Sequence, residues 1–151
     1  MNEVSLMTHV FLGVLCLLAS VWVFVEVLHV TAANLGRIRK LSLGIAVAMW
    51  LAYLVAGYWY VTFYSGDKAI ILHGPWPFAH NFFMETKEHV VIMLLLLATY
   101  LPIVAANDLA QNQAARRLML WVTGLFALIV LSAEGMGAMV AMGVKVALAP
   151  K

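Results

Sequence analysis

Four apolar stretches, at about residues 7–30, 41–64, 89–106 and 118–143, follow one another along the chain with short polar runs between them. Each is long enough to cross the hydrocarbon of a bilayer, which takes about 20 apolar residues in a helix. Barrel strands would alternate apolar and polar positions over about ten residues. Runs such as "IMLLLLATYLPIVAA" do not alternate, so the pattern predicts helices. The connections near 31–40 and 107–117 are short and polar, which makes sequential helices antiparallel neighbours. The expected fold is all-α: an integral membrane four-helix up-down bundle forming a single domain over 1–151. The middle connection, 65–88, is longer and carries Pro75, Trp76, Pro77, Phe78, Phe82 and Phe83. Aromatic residues favour the headgroup region, so this segment is expected as an amphipathic loop lying along the outer surface.

Composition strengthens the membrane reading. Of 151 residues, 65% are hydrophobic and 11% charged, against about half and a quarter in soluble domains. The first apolar stretch has no basic region before it and no small-residue cleavage site after it, so it is expected as a retained helix rather than a removed signal peptide. Arg37, Arg39, Lys40, Arg116 and Arg117 crowd one side of the predicted membrane, against Lys68, Lys87, Lys145 and Lys151 on the other. Basic residues tight against helix ends orient a chain, which places both termini on the outer, periplasmic side of a cell inner membrane. The single cysteine, Cys16, excludes an intrachain disulfide and dithiol exchange. A net charge of +2 is too small and dispersed for nucleic-acid binding. No P-loop, HExxH zinc signature or nucleophile–base pair stands out, so hydrolytic catalysis has no support.

Candidate chemistry rests on five histidines, His9, His29, His73, His80 and His89. His9 opens the first predicted span and His89 the third, so both should lie at a similar depth below the outer face. Helices one and three of an up-down bundle are diagonal, and two imidazoles at one depth on diagonal helices can ligate one haem iron. His29 lies 20 residues after His9, roughly 30 Å further along a helix. It is expected at the inner surface, near Glu26, lipid headgroups or another subunit. His73 and His80 fall in the outer loop, where histidine can shuttle protons or join Glu85 in an alternative site for copper or zinc. Glu85 also stands four residues before His89, on the same helical face, where it can orient that ring or simply complement the helix N-terminus.

Glu134, in "LIVLSAEGMGAMVAMG", lies well inside the fourth span without a nearby basic residue. Intramembrane acids commonly move protons or bind polar ligands. Glu134 and Tyr100 are therefore the candidate proton-relay residues. Ala133, Gly137 and Ala141 make a small-residue ridge beside it, suited to close helix packing. Met136, Met139 and Met142, with Met7 near His9, make a weak copper motif.

These features predict a membrane electron-transfer protein with one b-type haem held by His9 and His89, exchanging electrons with a quinone or a partner redox subunit. The architecture resembles the small four-helix cytochrome b subunits of bacterial dehydrogenases. That resemblance implies a haem-bearing membrane subunit of an oxidoreductase, although those subunits often carry two haems and the histidines here allow one. Two further readings share the same four spans. One is a copper-, zinc- or iron-binding protein of metal handling or cofactor assembly, and the other a non-catalytic accessory subunit of a larger membrane complex.

Overall fold

The computed structural model describes residues 2–149; Lys151, counted above among the lysines of one side, lies outside the described residues. Four long helices make up the fold: α1 (Asn2–Leu28), α2 (Leu35–His73), α3 (Glu85–Ala105) and α4 (Gln113–Leu148). A π-helical segment, Ala79–Met84, runs directly into α3. All four helices are long and apolar enough to cross a membrane, so this is a multi-pass membrane protein in a lipid environment.

α1 and α3 each pack on both α2 and α4, and α2 meets α4 between them. Side-chain contacts set the directions. His9 and Cys16 of α1 reach Ala52 and Ile45 of α2, so rising numbers on one helix meet falling numbers on the other. Trp50 and Arg39 of α2 likewise reach Thr99 and Ala105 of α3. α1 contributes Cys16, Ser20, Val23 and Val27 to the core, a stripe at helical spacing. Met119, Phe126 and Val130 of α4, Ile45 and Met49 of α2, and Leu94, Ala98 and Leu101 of α3 close on it.

Arginines finish two of the helices. Arg39 donates to the carbonyls of Ala105 and Ala106 at 3.0 and 3.2 Å, and Arg116 donates to those of Val27 and Leu28. Carbonyls in the last turn lack helical partners, and a cation there also complements the helix dipole. Asn112 begins α4 by accepting the Ala115 amide at 3.0 Å.

The middle connection differs from expectation. Residues 65–73 continue α2 with Ile71 fully buried, and the π-helical segment claims 79–84, so only Gly74–Pro77 is not helical. The aromatic content of 65–88 suggested an interfacial loop, but Ile70 and Ile71 extend the apolar face of α2. Pro75 and Pro77, which lack an amide hydrogen, are what end it. The 39 residues of α2 span about 58 Å at 1.5 Å per residue, well over the roughly 30 Å of hydrocarbon. The last turns of α2, the end of α4 and the π-helical segment pack together as a cap at one end of the bundle.

Candidate functional site

Below that cap a cavity of about 170 Å³ opens among all four helices. Tyr53, Trp59 and Tyr60 from α2 give it aromatic walls, while Ala56, Gly57 and Gly137 keep space open. Its polar groups are His9 from α1 and Lys87 and Glu88 from α3. A cavity near 150 Å³ is large enough to hold a benzene ring. Mostly apolar walls with a few converging polar groups are the usual composition of a small-molecule site.

The polar groups are set for exchange of hydrogen bonds. Nδ1 of His9 lies 3.1 Å from the Ala52 carbonyl oxygen. A carbonyl only accepts, so Nδ1 carries the hydrogen and Nε2 of the neutral ring keeps its lone pair. Oε1 of Glu88 is buried without a hydrogen-bond partner. Such an orphaned oxygen costs about 1–3 kcal/mol, more when charged. Lys87 is the cation facing His9 and Glu134, and its ammonium lies against Gly137.

Glu134 sits half-buried with its carboxyl against Gly13 of α1, at a point where any added Cβ would overlap it. The absence of a basic neighbour in the sequence is corrected by tertiary structure, which brings Lys87 to it from α3. Glu134 thus stands immediately behind the cavity, separated from it by Lys87 and Gly137. Tyr100, paired with Glu134 as a proton carrier on sequence grounds, is 41% exposed on the outside of α3 and does not line the cavity.

The histidines divide sharply. His9 lines the cavity, whereas His89 is exposed and bonded through Nδ1 to the Glu85 carbonyl of its own helix at 2.7 Å. α1 and α3 lie on opposite corners, and of the two rings only His9 lines the cavity. The cavity is sized for one ring, smaller than a porphyrin. His29 and His73 show the same inward-curled geometry as His89, bonded to Val25 and Ala69 carbonyls four residues back. Glu26, expected near His29, instead pairs with Arg37 at 2.8 Å and accepts from Asn34 at 2.7 Å.

Of the alternative metal set, His80 and Glu85 meet with Nε2 3.4 Å from Oε1, but His73 is turned to its own helix. Among the described residues no group of three or more His, Cys, Asp or Glu side chains could hold a metal ion. Met136 and Met139 are half-buried and Met142 is 41% exposed, so the methionine trio spreads around α4.

Sequence reasoning noted Lys87 and Glu88 only as members of a charged cluster and assigned no site role to them or to Tyr60 and Tyr64. "METKEHVV" showed the charges in a row, but not which of them turn inward. The signal available was spacing: Lys87, Val91, Leu94 and Ala98 follow the helical period, which puts Lys87 on the face that packs inward. No protein-family model, curated protein or solved structure matches the chain.

Proposed function

We propose that the chain is a membrane subunit that binds the head group of a quinone in this cavity and handles the protons its redox cycle requires. The observation that carries the reading is the orphaned, buried Glu88 Oε1 in an aromatic-walled, ring-sized cavity that also holds His9 and Lys87. In this reading the bundle is up-down, with both termini and the cavity on the outer side of a bacterial inner membrane. The arginines at the opposite end support that orientation.

A bound quinone exchanges two electrons and two protons with its surroundings, and the redox centre that takes the electrons belongs to a partner subunit. The protein supplies position and proton acceptors. Tyr53, Trp59 and Tyr60 flank a flat ring, and Gly57 leaves it room. Lys87 donates to a carbonyl oxygen of the oxidised head. Glu88 Oε1 accepts from a hydroxyl of the reduced head, as does His9 Nε2, so each of two protons has a receiving atom. Lys87 and Glu134 behind it keep the local charge balanced when one of these groups changes protonation.

A short-tailed benzoquinone titrated into the chain in lipid nanodiscs tests this. Saturable binding is expected, weakened about tenfold by Lys87→Met for the quinone and by Glu88→Gln for the quinol obtained by reducing it, equivalent to about 1.4 kcal/mol in each case. His89→Ala is expected to leave it unchanged. Absence of saturable binding, or equal binding by all three variants, would contradict the site.

A further inference from the structure

Beside the cavity, and outside it, lies a second constellation that the quinone site does not use. Tyr64 and His80 are 2% and 3% exposed, and the phenol oxygen lies 2.9 Å from His80 Nδ1. The other ring nitrogen, Nε2, faces Glu85 Oε1 at 3.4 Å, and the Glu85 side chain is 49% exposed. One buried histidine thus joins a buried phenol to a carboxylate at the surface.

The π-helical segment creates this junction. Its wider turn, closed by the Glu85 amide on the His80 carbonyl, drives Ala79 and His80 inward while Phe82 stays exposed. Single π turns within α-helices recur at functional sites. Ala79 packs so closely on Gly143 of α4 that a Cβ there would come within 2.6 Å of it. His80 is therefore held in place by backbone geometry rather than by a flexible loop.

The hydrogens follow from the partners. A carboxylate only accepts, so Nε2 carries the ring hydrogen, and Nδ1 accepts the Tyr64 hydroxyl hydrogen. On the cavity side, Tyr64 stacks on Tyr60 with ring centroids 5.0 Å apart, and Tyr60 itself lines the cavity and faces the Glu88 carboxyl. The ionisable groups facing Tyr64 are Tyr60 and Asp67 from α2 and Glu85 and Glu88 from α3. α4 contributes the apolar Val140 and Val144 to the same cluster.

We infer that Tyr64, His80 and Glu85 form a proton relay connecting the cavity to the surface. The inference rests on the quinone reading for the origin of its protons. In one passage a proton arriving from the Tyr60–Glu88 side bonds to the Tyr64 oxygen as the Tyr64 hydroxyl proton passes to His80 Nδ1. The Nε2 proton then moves to Glu85, whose carboxyl releases it to water. No electrons move, and one proton enters for each that leaves. Rotation of the ring, or a proton travelling the other way, restores the starting tautomer.

The test uses a 2-hydroxy-1,4-benzoquinone, whose visible absorbance reports its own ionisation, bound to the full chain in nanodiscs and subjected to a rapid pH jump. Bound probe in the wild-type protein is expected to follow the jump quickly. Tyr64→Phe, His80→Gln and the surface change Glu85→Gln are each expected to slow it at least tenfold while affinity stays within twofold. Unchanged rates with intact affinity would overturn the relay and leave the binding site standing. Nitrogen-15 NMR of His80 tests the relay without any ligand. The expected spectrum has hydrogen on Nε2 and an Nδ1 resonance that moves in Tyr64→Phe. An Nδ1-protonated ring indifferent to that change overturns the relay, while failure of the wild-type protein to bind the probe overturns the cavity reading instead.

Discussion

Gly13 and Glu134 show how single residues on different helices define one another here. The Glu134 carboxyl occupies the space that a side chain at position 13 would need, as the Lys87 ammonium does at Gly137, and each is the far end of a flexible side chain. Gly13→Ala and Gly137→Ala are therefore each expected to cost about 1 kcal/mol, the low end of overpacking. Thermal unfolding in detergent measures both, and Glu134→Ala should relieve most of the Gly13→Ala penalty. The sequence displayed Glu134 as an isolated acid because neighbours along one helix are all that a linear reading reveals. The direction in which the histidines face was not legible. His9 and His89 both open spans, yet one faces the interior and the other bonds its own backbone. Rotation about a helix axis decides this, and the polar residues before position 89 and the apolar ones after it each cover the whole circumference, leaving no single polar face to fix it.

At the scale of elements, the four apolar stretches were legible from length alone, but their ends were not. α2 and α4 run past the hydrophobic windows at both ends, because helix propensity and packing continue where hydropathy falls. The π-helical segment had no signature in the sequence: "AHNFFM" suits an ordinary helix equally well. Its role gives it a specific test. Deleting the exposed Asn81 should convert the segment to regular α-helix, turning His80 by about 100° relative to α3, the rotation of one residue at 3.6 per turn. The Tyr64–His80 bond is expected to be lost, seen as a His80 nitrogen-15 spectrum matching that of Tyr64→Phe. A second element-scale expectation concerns the α1–α2 corner, where Asn34 donates to Glu26 and the His29 carbonyl and accepts from the Thr31 amide. Asn34→Ala should cost about 0.5–1.5 kcal/mol through the hydrogen bonds it removes from partners that water can still reach, read by denaturant titration.

For the whole molecule, the helices meet so that α2 and α4 share the centre while α1 and α3 occupy opposite corners. The polar interior lies toward one end, between the cavity and the cap built by the π-helical segment, and the arginines that finish α1 and α3 lie at the other. The proposed orientation predicts that membrane-impermeant maleimide added outside intact cells labels Ser65→Cys, and that Lys40→Cys reacts only after the membrane is opened; both carry Cys16→Ser. The reverse pattern would invert the bundle and send the relay's protons inward. The account as a whole depends on the cavity being a binding site rather than a packing defect, and Gly57 separates the two. Gly57 lines the cavity, and a Cβ built on it meets nothing within 4 Å. Gly57→Leu should thus fill the space without strain, keeping or raising the melting temperature. The decisive measurement is quinone titration of this variant beside the wild-type protein. Loss of saturable binding at preserved stability is expected. Binding undiminished in a stably folded Gly57→Leu protein would contradict it.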